Sequence, residues 1–370
     1  MNVSLRDKFF GCICGAHIGS AMGAAVEGWH HSKIQETYGT LDKLLPYEHY
    51  SNGWVRPAGT TEDGIDRQKL MITAIIEKGD RVNCEDVRRI WCRDIKPEAP
   101  GGISEPFEGE LLKMAKTKIP ARDIGRYCDY AGLNSFARAC HPIGLINAGD
   151  IQGAITDVYE VGQLYQTTNS RGLKWAGVTG VAIAAATLPG ATVESVIDAI
   201  MKNLDERPVV EGRQDGWYAD YAGYNIVDEI KIGLNLTKDC KDFRDLRAVF
   251  DTLYNGIGMP YAMSYANEIV TKAVCVFSHC RGDLKTAIIS AVNLGRDTDC
   301  VTAVAAGITG ALGGAGSLPQ EWITQVDAST ITNPYTNSKR TLRENADGLY
   351  NTFKKRLQKL NTYTRTMDIE

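Results

Sequence analysis

The sequence predicts an all-α protein folded as one compact domain, residues 1–370, and three observations predict it. Alternation of apolar and polar residues never persists beyond a few positions, so half-buried strands leave no signature. Apolar residues recur instead at helical spacing between turns rich in Gly and Pro. Two acidic turns with matching chemistry, at positions 61–63 and 297–299, lie far apart in the chain, and a site that uses both keeps the chain in one unit.

Taken in order, residues 5–27 form a helix in which Gly11, Gly15, Gly19 and Gly23 recur every four positions. Each glycine costs about 1 kcal/mol of helix propensity relative to Ala, so the stripe implies a close approach by another backbone. That packing also brings Glu27 toward a site. Arg6 to Lys8 followed by Phe9 and Phe10 has the outline of a signal peptide, but Asp7, His17 and Ser20 interrupt it. Neither export nor a membrane span is expected, and a cytoplasmic protein is. From Tyr47 to Gly59 the chain is aromatic and turn-rich; Tyr47, Trp54 and Arg56 suit either a stacking platform for a base with a phosphate-holding Arg or an ordinary packed loop.

Thr61 is the expected N-cap of a helix that stops at Gly79, with Glu62 and Asp63 in its first turn, where the helix dipole favours acids. Helices follow at 84–95 and 105–117, separated by the breaker Pro97 to Gly102. The segment from Gly132 to Gly144 is polar and turn-like and offers Asn134, Ser135, Arg138 and His141; a His beside Pro142 also suits a structural role. Residues 149–161 and 173–188 are helical, and 205–225, with Trp217, Tyr218, Tyr221 and Tyr224, form an aromatic, acidic connection suited to walling a pocket. Further helices are expected at 241–254, 261–280 and 283–293, then a helix of small residues after Asp299. A peripheral C-terminal helix near 345–362 carries Tyr350, Phe353, Leu357 and Leu360 on one stripe.

Composition narrows the function. Lys and Arg total 41 against 45 for Asp and Glu, a net charge of −4, which gives no footprint for nucleic acid and favours a compact ligand. Ten cysteines are scattered with no CxxC pair and no zinc-like Cys/His spacing, the pattern of reduced, mostly buried thiols. The two acidic turns present hard oxygen ligands, suited to Mg²⁺ or Mn²⁺ rather than zinc. Neither fills an octahedral shell alone. Together Glu62, Asp63, Asp297 and Asp299, with the hydroxyls of Thr61 and Thr298, would hold one or two ions completed by water or substrate.

The stretch Gly15 to Glu27, the turn Thr61-Glu62-Asp63, the run Asn293 to Asp299, and Gly307, Gly310 and Pro319 to Trp322 behind it resemble, in that order, the motifs of the ADP-ribosylglycohydrolase family. The similarity runs from about Lys8 to Trp322. It implies a compact orthogonal helical bundle with a binuclear Mg²⁺ site, Mn²⁺ being the alternative, that grips a ribose and hydrolyses its glycosidic bond. Carried over, Thr61, Glu62, Asp63, Asp297 and Asp299 are the metal ligands and Glu62 positions or deprotonates the attacking water. Glu27, Asn134, Ser135 and His141 face the substrate. The expected partner is ADP-ribose or another ribosyl compound, on a protein or a small acceptor, with neither nucleic acid nor membrane. Hydrolysis of a different ribosyl nucleoside or nucleotide is the first alternative, since no Thr-His element appears near Thr167 and Thr168. A non-catalytic ADP-ribose binder is the second. Three positions depart from the family pattern: Ser20 where an Asp is usual, Gly64 where a Thr is common, and Cys300 in place of a Thr that helps hold a metal.

Overall fold

The computed structural model describes residues 3–48, 53–98, 106–128, 132–204, 225–254, 264–333 and 338–367. Among the described residues the chain is all-α, apart from two isolated bridges and a two-residue antiparallel ladder in which Tyr47 pairs with Arg56 and Glu48 with Val55. That ladder falls inside the aromatic segment read from the sequence as irregular.

Two helices form the axis. α1 (Leu5–Gly23) starts at Ser4, whose hydroxyl accepts from the Asp7 amide, and is buried from Lys8 onward. The second axial helix, Thr298–Gly313, comes late in the chain; after α1 follow α2 (His31–Tyr38), α3 (Asp63–Lys78), α4 (Cys84–Asp94), α5 (Pro106–Ala115), α6 (Ala121–Ile124) and α7 (His141–Ile146). α8 (Ile151–Gly162), α9 (Arg171–Ala186) and α10 (Val193–Asn203) precede α11 (Ile226–Thr237) and α12 (Phe243–Leu253). The last five are α13 (Ala266–Cys280), α14 (Leu284–Val292), α15 (Thr298–Gly313), α16 (Gln320–Thr332) and α17 (Leu342–Thr366).

The partner of α1 is α15, and the two run antiparallel in backbone contact. A Cβ on Gly19 would sit 2.9 Å from the Thr302 carbonyl oxygen, and one on Gly23 would sit 2.5 Å from Asp299 Cα. The four-residue glycine period therefore has its predicted consequence, a close helix pair, with Gly310 facing Gly11 at the far end. α9, α13 and α14 pack around α15, while α17 lies across α1, α3 and α7. One apolar core runs from Phe9 to Phe353, and a separate small cluster of Ala16, Ile65 and Ala303 marks where α1, α3 and α15 meet.

Among the described residues one stretch, Leu5–Val26, is long and apolar enough to cross a membrane, but 94% of its most apolar 18-residue window is buried within the protein, as expected of a core helix. All ten cysteines are free thiols, eight of them buried. α17 begins earlier and ends later than the sequence periodicity indicates. Its first half docks, with Phe9 set against Tyr350 and Phe353 at 5.5 and 5.8 Å between ring centroids. Its second half leaves the core: Leu357 and Leu360 are 43% and 50% exposed, so the apolar stripe is only half used.

Candidate active site

The antiparallel pairing of α1 and α15 fixes what meets at one end of the axis. The C-terminal end of α1 arrives beside the N-terminal end of α15, and Thr298 Oγ1 donates to the Gly23 carbonyl at 2.7 Å. That bond turns the Thr298 hydroxyl toward α1, away from the ligand role the sequence allowed it. The chain after α1 then zips onto the turn before α15. Gly28 N donates to Arg296 O at 2.8 Å, Arg296 N donates to Trp29 O at 2.6 Å, and His30 bridges Gly295. Glu27 is thereby held at this end, half-buried and close enough to Asp299 to act on its charge.

Arg296 sits at φ 71°, a left-handed conformation that a residue with a long side chain seldom adopts. Tertiary contacts over-determine it. Besides its two backbone bonds, its guanidinium pairs with both oxygens of Glu268, at 2.7 and 2.9 Å, and Glu268 also holds the buried Lys272 at 2.5 Å. Gly295, at φ 75°, has room only for hydrogen, since a Cβ would lie 2.5 Å from His31 N. This constrained pair aims Asp297 and Asp299 into the interior, where each is 2% exposed.

Those two carboxylates and the Cys300 thiol lie with their ligand atoms within 4.8 Å of one another. Asn134 Nδ2 donates to Asp297 Oδ2 at 3.2 Å and to Ser264 O at 3.0 Å. Asp297 Oδ1 and Asp299 Oδ1 are both buried with no hydrogen-bond partner. Burial, then the charges of Glu27 and Asp297, push Asp299 well above the usual carboxylate range, with Arg138 pulling the other way. Orphaned, facing carboxylate oxygens are the condition that a cation relieves. The donor set therefore fits a hard divalent ion.

The other acidic turn reaches the same place from α3. Glu62, not Thr61, is the N-cap, in extended conformation and without a side-chain cap bond. Its backbone N–H donates to Ser20 Oγ at 3.2 Å, which gives Ser20 a structural task at the crossing of α1 and α3. The Thr61 hydroxyl accepts from the buried Lys69 Nζ at 3.0 Å, and Lys69 lies 3.4 Å from Asp66. Glu62 is 2% exposed, with Arg56 Nε at 3.9 Å. Arg56 itself is buried over the Trp54 and Tyr47 rings, so those aromatic faces are taken by Arg56 within the protein.

Asp63 Oδ1 accepts from the Gly64 amide at 2.8 Å, and Oδ2 takes Arg138 Nη2 at 2.5 Å. Arg138 Nη1 is 3.7 Å from Asp299 Oδ2 and 3.2 Å from Cys300 Sγ. A guanidinium thus joins the two acidic turns. The sequence offered Arg138 to substrate groups and missed this role. The detectable signal was Gly64: where a larger residue is common, a glycine leaves room for something else.

The structure brings Thr61, Glu62, Asp63, Asp297, Asp299, Glu27 and Asn134 to this end of the axis. Ser135 is buried beside a small cavity that Arg138, Gly64, Trp91 and the Arg67–Glu108 pair also line. His141 is placed elsewhere. It is fully buried, with Nδ1 2.9 Å from Gln68 Nε2 and Nε2 3.0 Å from Ala303 O. A neutral ring protonated on Nε2 satisfies both bonds, and burial lowers its pKa to about 4. Both nitrogens being used, no substrate contact remains for it, which corrects the sequence expectation. The aromatic connection at 205–225 falls outside the described residues except for Asn225, which caps α11.

A family model described as ADP-ribosylglycohydrolase matches residues 1–358. By sequence the chain is similar to the uncharacterized protein YegU of Escherichia coli, 22% identical over 328 residues that cover 87% of this chain and 92% of that protein. It is similar to an uncharacterized protein of Archaeoglobus fulgidus, 24% identical over 86% of this chain and 91% of the relative. It is also similar to the ADP-ribosylhydrolase ARH3 of Gallus gallus, 22% identical over 90% and 92%. Among solved structures, an ADP-ribosylglycohydrolase-related protein complex shares the fold with a TM-score of 0.64 at 18% identity, covering 95% of this chain and 99% of that one.

Proposed function

The chain belongs to the ADP-ribosylglycohydrolase family and is a glycoside hydrolase, and from that premise we propose that it cleaves the ribosyl bond of an ADP-ribosyl conjugate with the help of a divalent cation. The observation that carries the reading is the pair of orphaned, buried oxygens, Asp297 Oδ1 and Asp299 Oδ1, at the start of α15. Mg²⁺ or Mn²⁺ held there would orient ribose hydroxyls and offset negative charge as the bond breaks.

The chain's own groups supply the rest. Cleavage at the anomeric carbon passes through a state with cationic character, which a wall of carboxylates favours. Asn134 keeps Asp297 in register through its amide, leaving the opposite oxygen free. Glu62 is the group we assign to the attacking water. Its side chain is buried, fixed beside Arg56, and mounted on the rigid N-terminus of α3. As a general base it would contribute roughly a hundred- to ten-thousandfold in rate.

The test is a mass-spectrometric screen of ADP-ribosylated Arg and Ser peptides, ADP-ribosyl nucleotides and plain nucleosides, with wild type and Glu62→Gln. Release of ADP-ribose by wild type, reduced at least about a hundredfold in Glu62→Gln, is the expected result. Cleavage of nucleosides alone would shift the substrate to a smaller ribosyl compound. ADP-ribose binding without turnover of anything would replace the hydrolase assignment with a binding role.

A further inference from the structure

We propose that the Arg138 guanidinium is a resident cation of this centre, standing where a second divalent ion would otherwise bridge the two acidic turns, so that the site takes up a single Mg²⁺ or Mn²⁺. The inference rests on the metal-assisted reading above.

The geometry carries it. Arg138 contacts one carboxylate from each turn, Asp63 Oδ2 at 2.5 Å and Asp299 Oδ2 at 3.7 Å, and reaches Cys300 Sγ at 3.2 Å. An Mg²⁺ bridging those oxygens would need each at about 2.0–2.1 Å, which the intervening guanidinium prevents by volume and by like charge. The arrangement is built into the fold. The aliphatic stem of Arg138 crosses Gly64 so closely that a Cβ there would lie 2.6–2.8 Å from Cδ, Nε and Cγ. The Arg138 backbone is fixed as well, its N–H donating to Asn134 O at 3.2 Å and its carbonyl accepting from Gln68 Nε2 at 2.8 Å.

Two of the three residues that depart from the family pattern fit this account. Gly64 clears the path of the side chain. Cys300 offers a soft sulfur, a poor ligand for Mg²⁺ but an adequate acceptor for a guanidinium N–H. Fixed positive charge is also distributed unevenly. The turn at 61–63 already has Lys69 on Thr61 and Arg138 on Asp63, whereas Asp297 Oδ1 and Asp299 Oδ1 have no hydrogen-bond partner. The single ion belongs on the α15 side.

Counting ions tests this without recourse to activity. Metal-stripped, full-length protein is titrated with Mn²⁺ by calorimetry, and the bound ion is read by electron paramagnetic resonance. Wild type is expected to bind one ion per chain with an uncoupled spectrum. Arg138→Ala, verified as folded by circular dichroism, is expected to bind two, with the exchange coupling of a close pair. Two coupled ions in wild type would overturn the inference and leave the metal-assisted reading standing, and this outcome needs no variant. No bound ion in wild type would overturn both. A stoichiometry of one in folded Arg138→Ala would show that the guanidinium was not holding an ion's place.

Discussion

In the turn before α7 and at its first position, Arg138 and His141 are both basic but meet different surroundings. Arg138 finds two carboxylates, whereas His141 finds a carbonyl and an amide, so burial acts on it almost unopposed and its pKa falls to about 4. The consequence for stability follows from which state binds the proton first. The unfolded histidine protonates near its ordinary value of about 6.5, so as pH falls from 7 toward 4 the unfolded chain gains protons that the folded one refuses, and stability is lost. The full shift corresponds to about 3 kcal/mol. Asp66 acts in the opposite direction: buried and pushed up to about 7, it favours the folded state most at low pH and loses that contribution as pH rises from about 4 to 7. Comparing urea unfolding of wild type and His141→Gln isolates the histidine. The advantage of wild type should shrink by about 3 kcal/mol between pH 7 and pH 4; a gap independent of pH would mean that His141 is not sealed as a neutral ring. These two residues also show what the sequence could and could not disclose. Hard-oxygen chemistry at Asp297 and Asp299 is legible from residue type, but whether a basic side chain meets an acid or a carbonyl depends on partners such as Asp63, far away in the chain, that only folding supplies.

The pairing of α1 with α15 accounts for the glycine period that the sequence displays openly. In an exposed helix, Gly→Ala stabilises by about 1 kcal/mol. At Gly23 the sign should invert, because the new Cβ would meet Asp299 Cα at 2.5 Å and its backbone N as closely. Overpacking of a rigid interior costs about 1–3 kcal/mol. Gly23→Ala should therefore lower the denaturation midpoint and, by displacing the start of α15, weaken Mn²⁺ binding. A more stable protein with unchanged ion affinity would contradict the close approach. Most long helices were visible as apolar periods, their ends differing from the observed ones by a few residues. α7 was not, since Pro142 and the polar residues before it read as a turn; Pro is tolerated there because it lies in the helix's first turn. The N-cap of α3 was misplaced by one residue for a related reason. A Thr usually caps, but the Thr61 hydroxyl is claimed by Lys69, one helical turn and more into α3.

Across the whole molecule, one long antiparallel contact between the first helix and α15 brings the two ends of the glycine stripe to two different jobs. One end packs Gly11 on Gly310, and the other delivers Glu27 and the turn at 297–299 to the start of α3. The acidic centre is therefore a product of the core, with carboxylates held in place by helices that are themselves buried. That arrangement explains how four carboxylates can be kept within the interior: Arg138 and Arg56 neutralise part of the charge, and a divalent ion on Asp297 and Asp299 would neutralise the remainder. The central claim, hydrolysis of a ribosyl bond assisted by that ion, is tested most directly by turnover of an ADP-ribosylated peptide before and after exhaustive chelation, with Asp297→Asn alongside. The account predicts a loss of at least about a hundredfold on chelation, recovery on adding Mg²⁺ or Mn²⁺, and no recovery in Asp297→Asn. Turnover that is equal with and without metal, or undiminished in Asp297→Asn, would contradict it.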